Sequence, residues 1–189
     1  RATGGHPEQK ETQGAVMQIN FQSSRLLRPA RPAFIRLTLA LAFLLNLLPT
    51  SFWPLFPEWV MLVVLFWSVR APLVVGTGTA FALGLLMDVV DGSLMGQHAL
   101  AYVLISYAGR VLSARILWLP LKQQVMHVLP ILLAGALIEV LVRWFAGDEF
   151  PGYFYLTQPL ITGLLWVPAT YILMLPQFLT KDRDYERPI

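Results

Sequence analysis

QVMHVLPILLAGALIEVLVRWFA, residues 124–146, carries two formal charges, Glu139 and Arg143, in 23 positions. A helix needs about 20 apolar residues to cross roughly 30 Å of hydrocarbon, and this run is long enough. Outward from it, further apolar segments fall at about 33–49, 55–69, 72–90, 98–117 and 156–178. The whole chain is 56% apolar and 13% charged, with mean hydropathy +0.59. A soluble domain carries about 25% charged residues. The chain therefore reads as an all-α, polytopic membrane bundle of about six transmembrane helices. Pro54 and Pro57 crowd the start of the second segment, which is short. Pro130, Pro159, Pro168 and Pro176 fall in or beside later segments, where membrane helices tolerate proline if neighbours satisfy the freed carbonyls. Aromatic residues gather at segment ends (Phe52, Trp53, Trp59, Trp67, Trp118, Trp144, Tyr153 and Tyr155), as an interfacial belt requires.

Three regions are expected. Residues 1–32 form a disordered, basic cytoplasmic tail, and residues 33–178 form the six-helix domain. Residues 179–189 form a charged cytoplasmic tail. Met17 is the first methionine, so residues 1–16 read as an added or upstream segment. Arg25, Arg28, Arg31 and Arg36, leading into the first apolar run, resemble a signal peptide. No small-residue cleavage site follows, which favours a retained helix. With the N-terminus inside and six alternating crossings, all of the 14 Lys and Arg except Arg143 fall on the inner side. This asymmetry places both termini of a multi-pass membrane protein in the cytoplasm. It also explains the net charge of +3 without invoking nucleic acid. The chain has no cysteine, which excludes disulfides, thiolate metal sites and a cysteine nucleophile.

Polar residues within apolar runs are the informative ones, because they are costly in lipid. In the third segment Gly76, Ala80, Gly84 and Asp88 recur every four residues and share a helix face. Small residues there let another backbone approach closely, so Gly76, Ala80 and Gly84 are expected to pack a neighbouring helix. Asp88 then has two readings: a carboxylate at a wet helix end, or one presented to a partner or an outward pocket. Asp91 reads as a solvated loop residue. Gly92 and Gly96 allow the sharp reversal that follows. In the fifth segment His127, Ile131, Gly135, Glu139 and Arg143 form a second stripe, with Gly135 as a packing position. Glu139 and Arg143 are spaced for an intrahelical ion pair. Asp88, Glu139 and Arg143 all fall in the outer half, so the topology permits a shared cluster. His127 reads as interfacial, and Arg110 as reaching the inner headgroups.

No catalytic motif is present: HExxH, GxSxG and GxxxxGK[ST] are all absent. Three histidines, one of them in the tail, do not make a metal site, and no metal or cofactor is expected. The chain is not expected to be an enzyme.

An ordered set of residues resembles the bacterial rod shape-determining MreD family. It runs Pro57-Glu58-Trp59, Leu62, Phe66-Trp67, Pro72, Gly76-Thr77-Gly78, Gly84, Asp88, Gly92-Ser93, Gly96 and Ala99-Leu100-Ala101. Gly163, Leu165, Trp166 and Pro168 follow as a late signature. Phe66 stands where enterobacterial members have tyrosine, and the N-terminal tail has no counterpart. The resemblance covers about residues 30–178. It implies a bundle of five or six helices similar to the substrate-binding subunits of energy-coupling-factor transporters. It further implies a non-enzymatic role in cell elongation, through MreC and then MreB and the peptidoglycan synthases, with homo- or hetero-oligomers in the bilayer. The competing reading is a membrane subunit that binds a vitamin-sized solute for a transporter.

Overall fold

The computed structural model describes residues 30–48, 56–148 and 152–179. Most of the expected tails, together with Phe52, Trp53, Pro54 and Glu149, lies outside the described residues. Seven α-helices follow one another: α1 Pro32–Asn46, α2 Trp59–Arg70, α3 Thr77–Asp91, α4 Gln97–Trp118, α5 Leu121–Phe145, α6 Thr157–Leu164 and α7 Trp166–Leu179. A 3-10 turn, Tyr153–Leu156, leads into α6, and no strand occurs among the described residues. The all-helical expectation therefore holds.

The hydropathy pattern positions α2 at the centre. Every residue from Val60 to Val69 is buried, as expected for a helix that is apolar all round. Pro72 disfavours helical backbone at Ala71, which caps this helix after 12 residues. It packs on α1, α4 and α6, while α3–α4 and α4–α5 make the most extensive helix pairs. Polar side chains link the core helices. Trp67 Nε1 donates to Thr38 Oγ1 at 2.9 Å, Ser68 Oγ to Ser106 Oγ at 2.9 Å, and Trp166 Nε1 to Gln124 Oε1 at 3.1 Å. Where water is scarce, such bonds keep buried polar atoms satisfied.

The outer faces are apolar. Leu37, Leu41 and Leu44 on α1, Val111 on α4, Leu137 on α5 and Ile172 and Leu175 on α7 are all exposed. A water-soluble monomer rarely leaves so much apolar surface bare, whereas lipid covers it without cost. By length and composition α4 and α5, with 22 and 25 residues, can each cross a membrane. The pair α6 and α7, bent by 45°, makes a third crossing if taken as one broken span. The break falls just before Pro168, whose ring would clash with the Leu164 carbonyl in a continuous helix. Helices α1 and α2 are apolar but shorter.

Candidate functional site

The sharp turn between α3 and α4 is organised by one carboxylate. Gly92 ends α3 with φ 60°, and its N–H returns to the Asp88 carbonyl. Gly96, φ 103°, precedes α4. Both values lie in the left-handed region that favours glycine. The reversal brings the start of α4 back over α3, so four donors converge on the Asp88 side chain. Oδ2 accepts from the Gly96 N–H at 2.7 Å. Oδ1 accepts from the His98 N–H at 2.8 Å, from His98 Nδ1 at 2.9 Å and from Ser93 Oγ at 3.1 Å. A carboxylate only accepts, so the Nδ1 of His98 carries the proton. Asp88 is 2% exposed. Asp88 is therefore a buried anchor for the turn, which is neither of its two sequence readings: it is not at a wet helix end, and its oxygens are taken up by the turn itself.

Two further carboxylates approach from other elements. Glu58, which caps α2, accepts from Tyr102 Oη at 2.7 Å through Oε1, and its own N–H donates to Thr162 Oγ1 at 3.1 Å. Glu139 on α5 accepts a short hydrogen bond from Tyr155 through Oε2. One oxygen from each glutamate and one ring nitrogen of His98 lie within 4.8 Å of one another, a set that could hold a cation. Beside them is a cavity of about 130 Å³, lined by residues that include Asn46, Phe56, Met87 and Gln158. Asp91 stands at the same cavity, its Oδ2 3.5 Å from His98 Nε2. The segments following α1, α3 and α5 thus meet at one end of the bundle.

The other expected residues are placed as follows. Gly84 faces the backbone of α4: a β-carbon there would lie 2.3 Å from Ala99 Cα and 2.7 Å from the His98 carbonyl carbon. Ala80 is fully buried, while Gly76 caps α3 and meets nothing closer than the Pro72 carbonyl at 4.0 Å. Gly135 faces Ile105 and Met61. Arg143 lines the cavity without pairing to Asp88 or Glu139 among the described residues. Its Nε donates to Gln97 Oε1 at 3.2 Å and its guanidinium lies over the Tyr155 ring. The expected Glu139–Arg143 ion pair gives way because Tyr155 lies between their roles, bonding one and stacking under the other. His127 is half-buried near the Gln123 carbonyl, and Arg110 is exposed over Tyr107. Sequence reasoning missed His98, Glu58, Tyr102 and Tyr155 as one group. The available signal was His98 placed just beyond the Gly92–Gly96 turn from Asp88.

The family model for rod shape-determining protein MreD matches residues 31–179, which contain every helix described above. The chain belongs to the rod shape-determining MreD family. The MreD protein of Haemophilus influenzae is 33% identical over 140 residues, covering 71% of this chain and 83% of that protein. No solved structure matches the chain. MreD proteins are membrane proteins that determine cell shape and are not enzymes, which accords with the apolar exterior and the absence of catalytic motifs. In this MreD-family chain Asp88, with its turn glycines, sits at the polar end of an otherwise apolar bundle.

Proposed function

We propose that the chain is a non-enzymatic inner-membrane subunit of the bacterial elongation machinery, which keeps cells rod-shaped by engaging MreC and, through it, MreB and the peptidoglycan synthases. The family match over residues 31–179 carries this reading. In the proposed topology six crossings leave both termini in the cytoplasm and turn the polar end of the bundle outward. Two features support it: the basic residues other than Arg143 avoid that side, and the segments assigned to it meet around one cavity. An arrangement like that of energy-coupling-factor substrate-binding subunits is consistent with an all-helical bundle that has one polar end.

Deletion in the host that encodes the chain should convert rods to spheres, and re-expression should restore rods. The tagged chain should also bring down MreC from detergent-solubilised membranes. Unchanged cell shape after deletion, with no MreC recovered, would refute the assignment and favour a solute-binding transporter subunit.

A further inference from the structure

We infer that Glu58, His98 and Glu139 form a binding site for a divalent transition-metal ion of the zinc class, opening into the cavity at the polar end of the bundle. The three ligands come from the cap of α2, the start of α4 and the outer part of α5, and their donor atoms already lie within 4.8 Å of one another. Zn–N and Zn–O bonds of about 2.0–2.2 Å place tetrahedral ligands about 3.4 Å apart. Side-chain rotation of no more than about 1.5 Å closes the set.

Each ligand is held by a partner from behind. Asp88 accepts the Nδ1 proton of His98, so Nε2, 3.5 Å from Asp91 Oδ2, is the ring nitrogen left to bind a cation. This is the carboxylate–histidine arrangement that fixes the tautomer of metal-binding histidines. Tyr102 holds Glu58 and Tyr155 holds Glu139, each through a single oxygen. The other oxygen of Glu139, Oε1, is buried with no hydrogen-bond partner, and the residue is 1% exposed. An orphaned carboxylate oxygen is costly at that depth, and Glu139 belongs to the three-residue group that, among the described residues, could share a cation. Charge points the same way. Among the described residues, the basic side chains at this end beside Glu58, Asp88, Asp91 and Glu139 are His98 and Arg143, and Arg143 is engaged with Gln97 and Tyr155. A mixed nitrogen and oxygen set suits zinc better than magnesium or calcium, which favour oxygen alone. A count of histidines misses such a site because two of its three ligands are glutamates.

Binding to the isolated chain requires no partner, so its test is separate from that of rod shape. The full chain, purified with a tag that contains no histidine and stripped with chelator, is titrated with Zn2+, Mg2+ and Co2+. One Zn2+ per chain should bind and raise the thermal midpoint, Mg2+ in the same range should not, and Co2+ should give visible ligand-field bands. His98→Gln and Glu139→Gln should abolish binding, and Tyr155→Phe should weaken it about 10-fold, the lower end of the effect of outer partners. Should the two ligand variants fail to fold, the wild-type Co2+ spectrum and Tyr155→Phe affinity still decide. Featureless Co2+ absorption, or Zn2+ binding unchanged in folded His98→Gln or in Tyr155→Phe, would overturn the assignment.

Discussion

Gly84→Ala should prevent the chain from accumulating in a folded form, whereas Gly78→Ala in the same helix should be neutral or mildly stabilising. The two substitutions add the same methyl to the same helix, so propensity favours both by about 0.5–1 kcal/mol. What differs is the space. At Gly78 a β-carbon meets nothing within 4 Å, while at Gly84 it would sit 2.3–2.7 Å from backbone atoms of His98 and Ala99. Backbone cannot rotate out of the way as a side chain does. Relief therefore requires α3 and α4 to separate, at a cost of about 3 kcal/mol or more. That separation would also dismantle the turn that Asp88 holds. Thermal unfolding in detergent, with monodispersity on gel filtration, reads both variants. Equal stability would show that the α3–α4 approach is looser than described.

Asp88→Asn should destabilise the folded chain by about 2–4 kcal/mol, a sum of weakened charge-assisted bonds and one donor left without an acceptor. An asparagine oxygen can still take the three donors now on Oδ1. Its amide NH2 then faces the Gly96 N–H, which lies 2.7 Å from the present Oδ2. Two donors cannot bond each other, so the Gly96 N–H loses its acceptor or the turn shifts. Asp91→Asn is the control, since its side chain is 41% exposed and solvent screens its approach to His98. It should change stability by less than about 0.5 kcal/mol. The same thermal measurement decides. An Asp88→Asn midpoint equal to that of Asp91→Asn would show that the convergent hydrogen bonds contribute little.

The readable part of this fold was the part written in local patterns. Apolar runs marked the α4 and α5 regions to within about three residues at each end, because a lipid-crossing helix must be continuous and apolar. The four-residue spacing led to Gly84 and Asp88, and the glycines Gly92 and Gly96 marked the reversal. The break between α6 and α7 was less legible, since Pro168 is compatible with either a kinked or an interrupted helix. The polar cluster was only half visible. Asp88, Glu139 and Arg143 were placed in one half of the membrane by counting crossings, but which side chains pair depends on helix rotation and crossing angle. Glu58 lies 44 residues before Tyr102, its hydrogen-bond partner. No local period connects them; α2 must first be buried against α4. His98 was passed over for a related reason: it becomes a neighbour of Asp88 only when Gly92 and Gly96 fold the chain back.

The proposed outward orientation of the polar end can be tested directly, because the chain contains no native cysteine. Met95, 76% exposed in the α3–α4 turn, and Lys122, exposed near the start of α5, lie at opposite ends of α4. Single variants Met95→Cys and Lys122→Cys are treated in intact cells, outer membrane permeabilised, with a maleimide that does not cross the inner membrane. Labelling of Met95→Cys in intact cells, and of Lys122→Cys only after the inner membrane is opened, is the predicted result. The reverse pattern would turn the cavity toward the cytoplasm and contradict the account.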